Sequence, residues 1–274
     1  MHLVKANGAH IPAIGFGTWT LKGEDAARMV EQALVAGYRH IDTATLYENE
    51  EAVGQGMRAS GVSRDEIFLT TKIWHTDLAD GDLQRSVEAS LGRLGVERVD
   101  LALIHWPSKT IPVETSIKAL NEVLDQDMTR HIGVSNYTVR HIEEAVAHSN
   151  HPLACNQIEY HPMLDQDIVI KACRRHGMAV VSYCPLCRGS DLLGGEPITA
   201  LAEKYGRTPA QIVLRWHVQQ PGVICIPRTK TPARVAENLT IFDFELADDD
   251  MATISDLRAR NMRICDYDIS PDWD

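Results

Sequence analysis

Four side chains in the first 105 residues are of the types that proton transfer to an oxygen requires: the carboxylate of Asp42, the phenol of Tyr47, the ammonium of Lys72 and the imidazole of His105. A tyrosine hydroxyl with an ordinary pKa near ~10 is a poor acid at neutral pH, but a neighbouring ammonium stabilises the phenolate and moves the pKa toward the working range. Lys72 can supply that field, and Asp42 can keep Lys72 charged and in place. His105 can donate a hydrogen bond that orients a substrate carbonyl, which leaves Tyr47 as general acid. Each residue alone has a plainer explanation, since Asp and Lys at strand ends are often just solvated and a core histidine is commonly satisfied by backbone. Together, a half-buried charged pair beside a histidine is costly to desolvate and points to chemistry. A proton donor of this kind needs a hydride donor beside it.

Such a group has to be carried to one place by the chain around it. Short apolar, β-branched runs at 13–17, 38–42, 67–72, 99–105, 131–135, 154–157, 179–183 and 222–226 alternate with amphipathic segments at 24–36, 82–94, 114–127, 139–148 and 166–176. That alternation is the signature of successive βα units. Right-handed crossovers make the strands parallel, and eight units close most naturally into an α/β fold of the (β/α)8 TIM-barrel type, with an open doubly wound sheet as the alternative. Asn7-Gly8 between two short apolar runs predicts an N-terminal β-hairpin ahead of the barrel. In a parallel barrel the functional face is the rim at the carboxyl ends of the strands. Ile41-Asp42-Thr43, Thr70-Thr71-Lys72 and Ile104-His105-Trp106 all end there, and Tyr47 lies five residues past Asp42.

Composition narrows the partners. With 274 residues, 44% hydrophobic and 24% charged, the chain has an ordinary globular make-up. Its formal charge of −11 repels phosphate backbones and anionic membrane faces, so neither nucleic acid nor membrane is an expected partner. No apolar run nears the ~20 residues of a membrane span, and MHLVKANGAH lacks a signal-peptide layout, so a cytoplasmic location is expected. No proline-rich or serine-rich linker divides the chain, and residues 1–274 are read as one domain, expected to act as a monomer. The six cysteines, Cys155, Cys173, Cys184, Cys187, Cys225 and Cys265, suit reduced thiols, and Cys184-Pro-Leu-Cys187 is read as chance spacing because a zinc site would want a second pair. Twelve histidines form no metal-binding run, so no metal is expected.

Two glycine clusters imitate a dinucleotide-binding turn. Gly54-Gln-Gly56-Met-Arg-Ala59 follows a charged stretch instead of a buried strand, and Gly15-Phe-Gly17-Thr-Trp-Thr20 lacks the third glycine. Neither is read as a Rossmann phosphate turn, so any nicotinamide cofactor must be held in another way.

The sequence resembles the aldo-keto reductases over essentially its whole length. The matching segments are Gly15-Phe-Gly17-Thr18-Trp19, Gly37-Tyr-Arg-His-Ile-Asp42-Thr-Ala44, Tyr47-Glu-Asn-Glu50, Lys72-Ile-Trp74, Ile104-His105-Trp106-Pro107, Gly133-Val-Ser135-Asn136, Asn156-Gln157-Ile-Glu-Tyr-His161-Pro162 and Ile226-Pro227-Arg228-Thr229. The short end from Arg263 to Asp274 is similar to that of bacterial 2,5-diketo-D-gluconate and methylglyoxal reductases. The resemblance implies NADPH-dependent reduction of aldehydes or ketones to alcohols, on small dicarbonyls such as methylglyoxal or on keto-sugar acids, with Asp42, Tyr47, Lys72 and His105 as the catalytic tetrad. It implies cofactor contacts from Gly17 and Thr18, hydrogen bonds to the carboxamide from Ser135, Asn136 and Gln157, and stacking of Tyr183 on the nicotinamide ring. Leu186 would lie over the pyrophosphate, and Arg234, Glu237 and Asn238 would contact the adenosine phosphate.

An acidic protein that binds a polyanion needs a local cationic pocket, and one follows the eighth strand in Arg228-Thr229-Lys230-Thr231-Pro232-Ala-Arg234. Thr231 reads as N-cap and Pro232 as first helical residue, so backbone donors and the positive helix end join the cations. Where the family usually has lysine and serine, this chain has Arg228 and Thr229, a fork in place of a point charge. Trp19, Trp74 and Trp106, each just beyond a strand end, would form an aromatic wall for a small carbonyl substrate. Two other readings share the motifs: an NADPH-sensing regulatory or binding protein of the same fold, and a barrel that takes a phosphorylated metabolite without redox.

Overall fold

The computed structural model describes residues 2–189 and 191–274. Asn7 and Gly8, at φ +45° and +85°, make the two-residue turn between β1 (Leu3–Ala6) and β2 (Ala9–Pro12). Paired positive φ values of this kind match the right-handed twist of the flanking strands, which is why this dipeptide predicts the hairpin. The Asn7 amide then donates to the carbonyls of Leu153, the first residue of a barrel strand, and His176, at the helix end that leads into the next one. The hairpin therefore plugs the end of the barrel opposite the rim.

Eight parallel strands follow: β3 (Phe16–Gly17), β4 (His40–Asp42), β5 (Phe68–Ile73), β6 (Val99–Ile104), β7 (Thr129–Ser135), β8 (Leu153–Glu159), β9 (Ala179–Tyr183) and β10 (Val223–Cys225). They lie side by side in sequence order. The crossovers are α1 (Gly23–Ala36), α2 (Glu50–Ala59), α3 (Asp82–Leu94), α4 (Val113–Asp125), α5 (Val139–His148) and α6 (Asp167–Arg175), and then, between β9 and β10, α7 (Asp191–Gly194), α8 (Ile198–Tyr205) and α9 (Pro209–Gln219). After β10 come α10 (Pro232–Leu239) and α11 (Asp248–Ser255).

The first and last strands meet through backbone hydrogen bonds: Gly15 donates to Cys225 at 2.8 Å, Cys225 to Ala13 at 3.0 Å and Gly17 to Pro227 at 3.1 Å. The sheet closes into a barrel. A Cβ on Gly17 would sit 2.9 Å from the Ile226 carbonyl, so a larger residue would push the closing strands apart. The first strand is shorter than the segment 13–17, with Ile14 reduced to an isolated bridge to Cys225. β4 starts at His40 instead of Tyr38, because Gly37, at φ +112°, ends α1 and the Tyr38 amide turns back to the Ala33 carbonyl. β8 runs two residues beyond Gln157, which carries Glu159 to the rim.

Gly54 and Gly56 lie within α2, away from any phosphate turn. A Cβ on Gly54 would lie 2.2 Å from the Leu94 carbonyl and one on Gly56 2.3 Å from the Ala27 carbonyl. These glycines let α2 approach its neighbours α3 and α1 closely. The buried apolar side chains form one cluster that runs from Val4 to Ile254. Among the described residues, no helix is long and apolar enough to cross a membrane.

Candidate active site

Strand register explains how three residues from three strands share one face. Asp42 on β4 lies opposite Thr70 on β5, so Lys72, two residues on, points to the same side one step nearer the rim. Lys72 in turn lies opposite Leu103 on β6, and His105 is again two residues further. The site thus climbs by two residues per strand, as the stagger of a closed barrel dictates.

Lys72 is the pivot. Its ammonium is fully buried and has three donors, which meet Asp42 Oδ1 at 2.5 Å, the Thr43 carbonyl at 2.8 Å and Tyr47 Oη at 3.3 Å. Every N–H finds an acceptor, the condition under which a buried charge is tolerable. Burial pushes the Lys72 pKa down, and the adjacent Asp42 carboxylate opposes that shift. Because Lys72 donates to the Tyr47 oxygen, the proton of that hydroxyl is left free to point elsewhere.

Tyr47 rides on a single 3-10 turn, Thr45–Tyr47, that the next residues clamp. Asn49 donates to the carbonyls of Thr18 and Leu21, both at 3.0 Å, and accepts from Thr43 Oγ1 at 2.7 Å. Glu50, itself buried, accepts from Thr71 Oγ1 and from Arg93. Lys22 donates to the Tyr47 carbonyl at 2.7 Å. The sequence reading took Asn49 and Glu50 only as part of a motif; two polar residues following closely on a candidate acid were the available signal.

The expected tuning of Tyr47 runs the other way. Burial raises its pKa well above the ordinary value of 10, and the Asp42 charge raises it further. Tyr47 therefore stays protonated at neutral pH. Burial, joined by the Lys72 charge, pushes the His105 pKa well below 6.5, so its imidazole is neutral with one N–H to donate. The Tyr47 and His105 rings meet edge to face at 5.6 Å between centroids. His105 Nδ1 is buried with no partner among the described residues.

The expected carboxamide contacts are bonded to one another. Gln157 donates its amide to Asp42 Oδ2 at 2.8 Å, so it fixes the carboxylate that holds Lys72. Ser135 Oγ donates to the Gln157 carbonyl, and the Asn136 amide donates to the His105 carbonyl and to Ser135 Oγ. Tyr183 Oη donates to Asn136 Oδ1 at 2.7 Å. Thr18, buried, gives its hydroxyl proton to the Asp42 carbonyl at 2.9 Å. These residues form a connected network around the tetrad.

The last residues form a strap across the rim. Glu159 at the end of β8 accepts the backbone N–H groups of Ile264 and Cys265 at 2.8 and 2.7 Å, and its carboxylate pairs with buried His161 at 3.0 Å. Burial works against the charged forms, but the His161 contact and the two tail N–H bonds leave the Glu159 pKa lowered; the His161 pKa is raised to about 9, burial again outweighed by the neighbouring Cys187 and Glu159. Tail residues Tyr267 and Trp273 pack on Trp106 at 6.0 Å. That corrects one expectation: Trp106 is only 5% exposed and sits under the strap instead of lining an open wall. Trp19, 44% exposed, lies 4.8 Å from the Tyr47 ring, and Trp74 lies 5.3 Å from His105.

Beyond β10, Arg228, Lys230 and Arg234 are exposed around the start of α10. Thr231 occupies the N-cap position with Pro232 after it, yet its hydroxyl caps no amide; Thr229 Oγ1 instead accepts the Thr231 N–H at 3.0 Å. The helix start is thus left uncapped by its own side chain, next to three cations. Arg234 and Asn238 share a helix face at i, i+4 spacing, and Asn238 Oδ1 is buried without a partner among the described residues. Glu237 accepts from Thr208 Oγ1, which ties α10 to the capping box of α9. Leu186 is half-buried against the core in the loop after β9.

The comparisons agree with this geometry. Residues 13–259 match the model of the aldo/keto reductase family. Glyoxal reductase of Bacillus subtilis is 40% identical over 252 residues, 92% of this chain and 90% of the relative. Methylglyoxal reductase DkgA of Yersinia pestis is 39% identical over 253 residues, with 92% and 90% covered. The crystal structure of a putative 2,5-diketo-D-gluconic acid reductase B superposes with a TM-score of 0.97 at 42% identity, covering 100% of this chain and 98% of that one. The chain belongs to the aldo/keto reductase family, and it is an oxidoreductase acting on carbonyl groups.

The Lys72 geometry makes a stability prediction. Lys72→Met should leave the buried Asp42 carboxylate uncompensated and destabilise the fold by about 3–5 kcal/mol in urea unfolding. Adding Asp42→Asn should recover most of that loss. Independent, additive effects of the two substitutions would contradict the pairing.

Proposed function

We propose that this chain is an NADPH-dependent carbonyl reductase in which Tyr47 is the general acid. The observation that carries the reading is the direction of one hydrogen bond: Lys72 donates to Tyr47 Oη, so the hydroxyl proton faces away from the ammonium and is free to be given to a substrate oxygen. When bound, NADPH supplies a hydride to the carbonyl carbon. As charge gathers on the oxygen, Tyr47 protonates it. A raised phenol pKa does not oppose this, because an alkoxide is about as basic as hydroxide, whose conjugate acid has a pKa of ~15.7 in bulk. The ammonium then stabilises the phenolate left behind, which is when its proximity to Tyr47 matters most. Neutral His105 donates a hydrogen bond that orients the carbonyl.

The residues present fit the cofactor. Arg228, Lys230 and Arg234 with the uncapped start of α10 suit its phosphates, and the unpartnered buried Asn238 Oδ1 is an acceptor awaiting a donor such as the adenine amino group. The half-buried Tyr183 ring, with its hydroxyl tied to Asn136, is held rigidly enough to stack on a nicotinamide. Ser135, Asn136 and Gln157 would reach the carboxamide by their remaining hydrogen-bonding capacity, Gln157 through its Oε1. Gly17, Thr18 and Leu186 would line the same groove by backbone and contact, and Glu237 would contribute its second carboxylate oxygen. The substrates named for the two relatives are small dicarbonyls, and the Trp19 and Trp74 rings beside Tyr47 and His105 suit a compact carbonyl compound of that class.

Turnover of methylglyoxal, followed by NADPH absorbance, should fall by about 10²–10⁴ in Tyr47→Phe while NADPH still quenches tryptophan fluorescence. Undiminished turnover in that variant would overturn the acid assignment. Arg228→Gln should weaken NADPH binding by about 10-fold or more while changing NADH binding little, since a charge-assisted hydrogen bond to a phosphate is worth about 1.5–3 kcal/mol. Equal losses for the two cofactors would place the arginine elsewhere than at the 2′-phosphate.

A further inference from the structure

The Cys-x-x-Cys spacing of Cys184 and Cys187 is not the thiol pair that the fold assembles. Cys184, in the loop after β9, has its Sγ 3.8 Å from Sγ of Cys265 in the tail strap, 81 residues away in sequence. Cys187 is buried, and among the described residues no side-chain hydrogen bond joins it to Cys184. The chain places a cation at the pair as well: Arg188 Nη2 is 3.3 Å from Cys265 Sγ and 3.1 Å from Tyr267 Oη.

Three further observations separate this pair from the other thiols. Cys184 is half-buried and so reachable from solvent, whereas Cys155, Cys173 and Cys225 are fully enclosed and their pKa values are pushed up by burial. Cys184, Cys187 and Arg188 all have φ between +50° and +54°, a region that residues with a Cβ occupy only when their surroundings hold them there. The tail side is held too, since Glu159 grips the amides of Ile264 and Cys265. Both sulfurs are thus presented to each other by restrained backbone.

We propose that Cys184 and Cys265 are a modification site for small hydroperoxides, which convert the hydrogen-bonded strap into a covalent one. The Cys184 thiolate attacks a peroxide oxygen, the O–O bond breaks, and hydroxide leaves to be protonated to water. The sulfur is now a sulfenic acid. Sγ of Cys265 attacks it, forms the S–S bond, and loses its proton as a second water departs. In total two thiols lose two electrons and two protons, and one hydrogen peroxide becomes two waters. The order follows from access and charge: Cys184 is the exposed member, and the Cys265 S–H bond to it, with the Arg188 guanidinium alongside, holds its pKa down at about 7. Cys265, only 4% exposed, is shielded from the peroxide and resolves the sulfenic acid once Cys184 has been oxidised. The sulfurs must approach by roughly 2 Å to reach bonding distance, a shift within reach of side-chain rotation and a small loop movement.

The test uses the full chain without cofactor and reads a covalent bond, so its outcome is independent of whether the reductase reading holds. The protein is treated with one equivalent of hydrogen peroxide near pH 8, the remaining thiols are alkylated, and tryptic peptides are mapped without reduction. The expected result is loss of two of the six thiols and a disulfide joining peptide 176–188 to peptide 264–274, reversed by dithiothreitol. The link should be absent in Cys184→Ser and in Cys265→Ser, and Arg188→Gln should slow its formation several-fold. Each serine variant replaces one sulfur by oxygen, and native circular dichroism checks that each is folded. A Cys184–Cys187 disulfide, a Cys184 sulfinic acid with Cys265 still free, or a cross-link that survives in Cys184→Ser would each overturn the proposal.

Discussion

The site depends on one buried ammonium. Removing Lys72 from water is costly, several kcal/mol for such an ion even after relaxation, and the cost is met only because all three of its N–H groups have acceptors. Two of those acceptors, Asp42 and the Thr43 carbonyl, fix where the charge sits. The third, Tyr47 Oη, receives what is left, and that single bond decides which way the phenol proton faces. Gln157 holds the far oxygen of Asp42, so the chain of support reaches from β8 through β4 to β5. The residues that frame the chemistry are bonded to one another before any substrate arrives, which is what preorganisation requires.

The same arrangement would reconcile an acidic protein with the polyanionic cofactor proposed for it. The formal charge of −11 is a property of the whole surface, whereas Arg228, Lys230 and Arg234 gather at one helix start. Screening at physiological salt limits the long-range repulsion to about a Debye length of ~8 Å, inside which the local cations dominate. The strap and the loop after β9 lie between this cationic corner and the tetrad. Arg228 feels the charges of Cys184 and Arg188, and the environment of Tyr47 includes Cys184, Cys265 and Tyr267.

Much of this was legible in the sequence. Eight apolar runs and the helical segments between them give the barrel, and their positions at strand ends place Asp42, Lys72 and His105 on one rim. The register that makes the site climb by two residues per strand was not legible, because it is set by closure of the barrel between β3 and β10. The sign of the Tyr47 shift was missed for a related reason: an ammonium next to a phenol can be inferred from sequence, but the degree of burial that outweighs it cannot. Trp106 sits at a strand end as its neighbours do, and only the path of the tail distinguishes a covered ring from an open one. Likewise, Cys184-Pro-Leu-Cys187 was the visible pair, while the true neighbour of Cys184 is 81 residues away and is brought there by Glu159, a residue two positions beyond the expected end of its strand.

The central claim, that Lys72 donates to a Tyr47 phenol which burial keeps protonated, is tested most directly by titrating that ring. Carbon-13 labelling of the tyrosine Cζ positions, with the Tyr47 resonance assigned from Tyr47→Phe, reports phenol and phenolate separately in the folded protein. A pKa raised above its unperturbed value means the proton is still bound when pH reaches ~10, so the account predicts a phenol signal with no ionisation between about pH 6 and about pH 10. A Tyr47 resonance that moves to the phenolate position between about pH 7 and about pH 9 would contradict it.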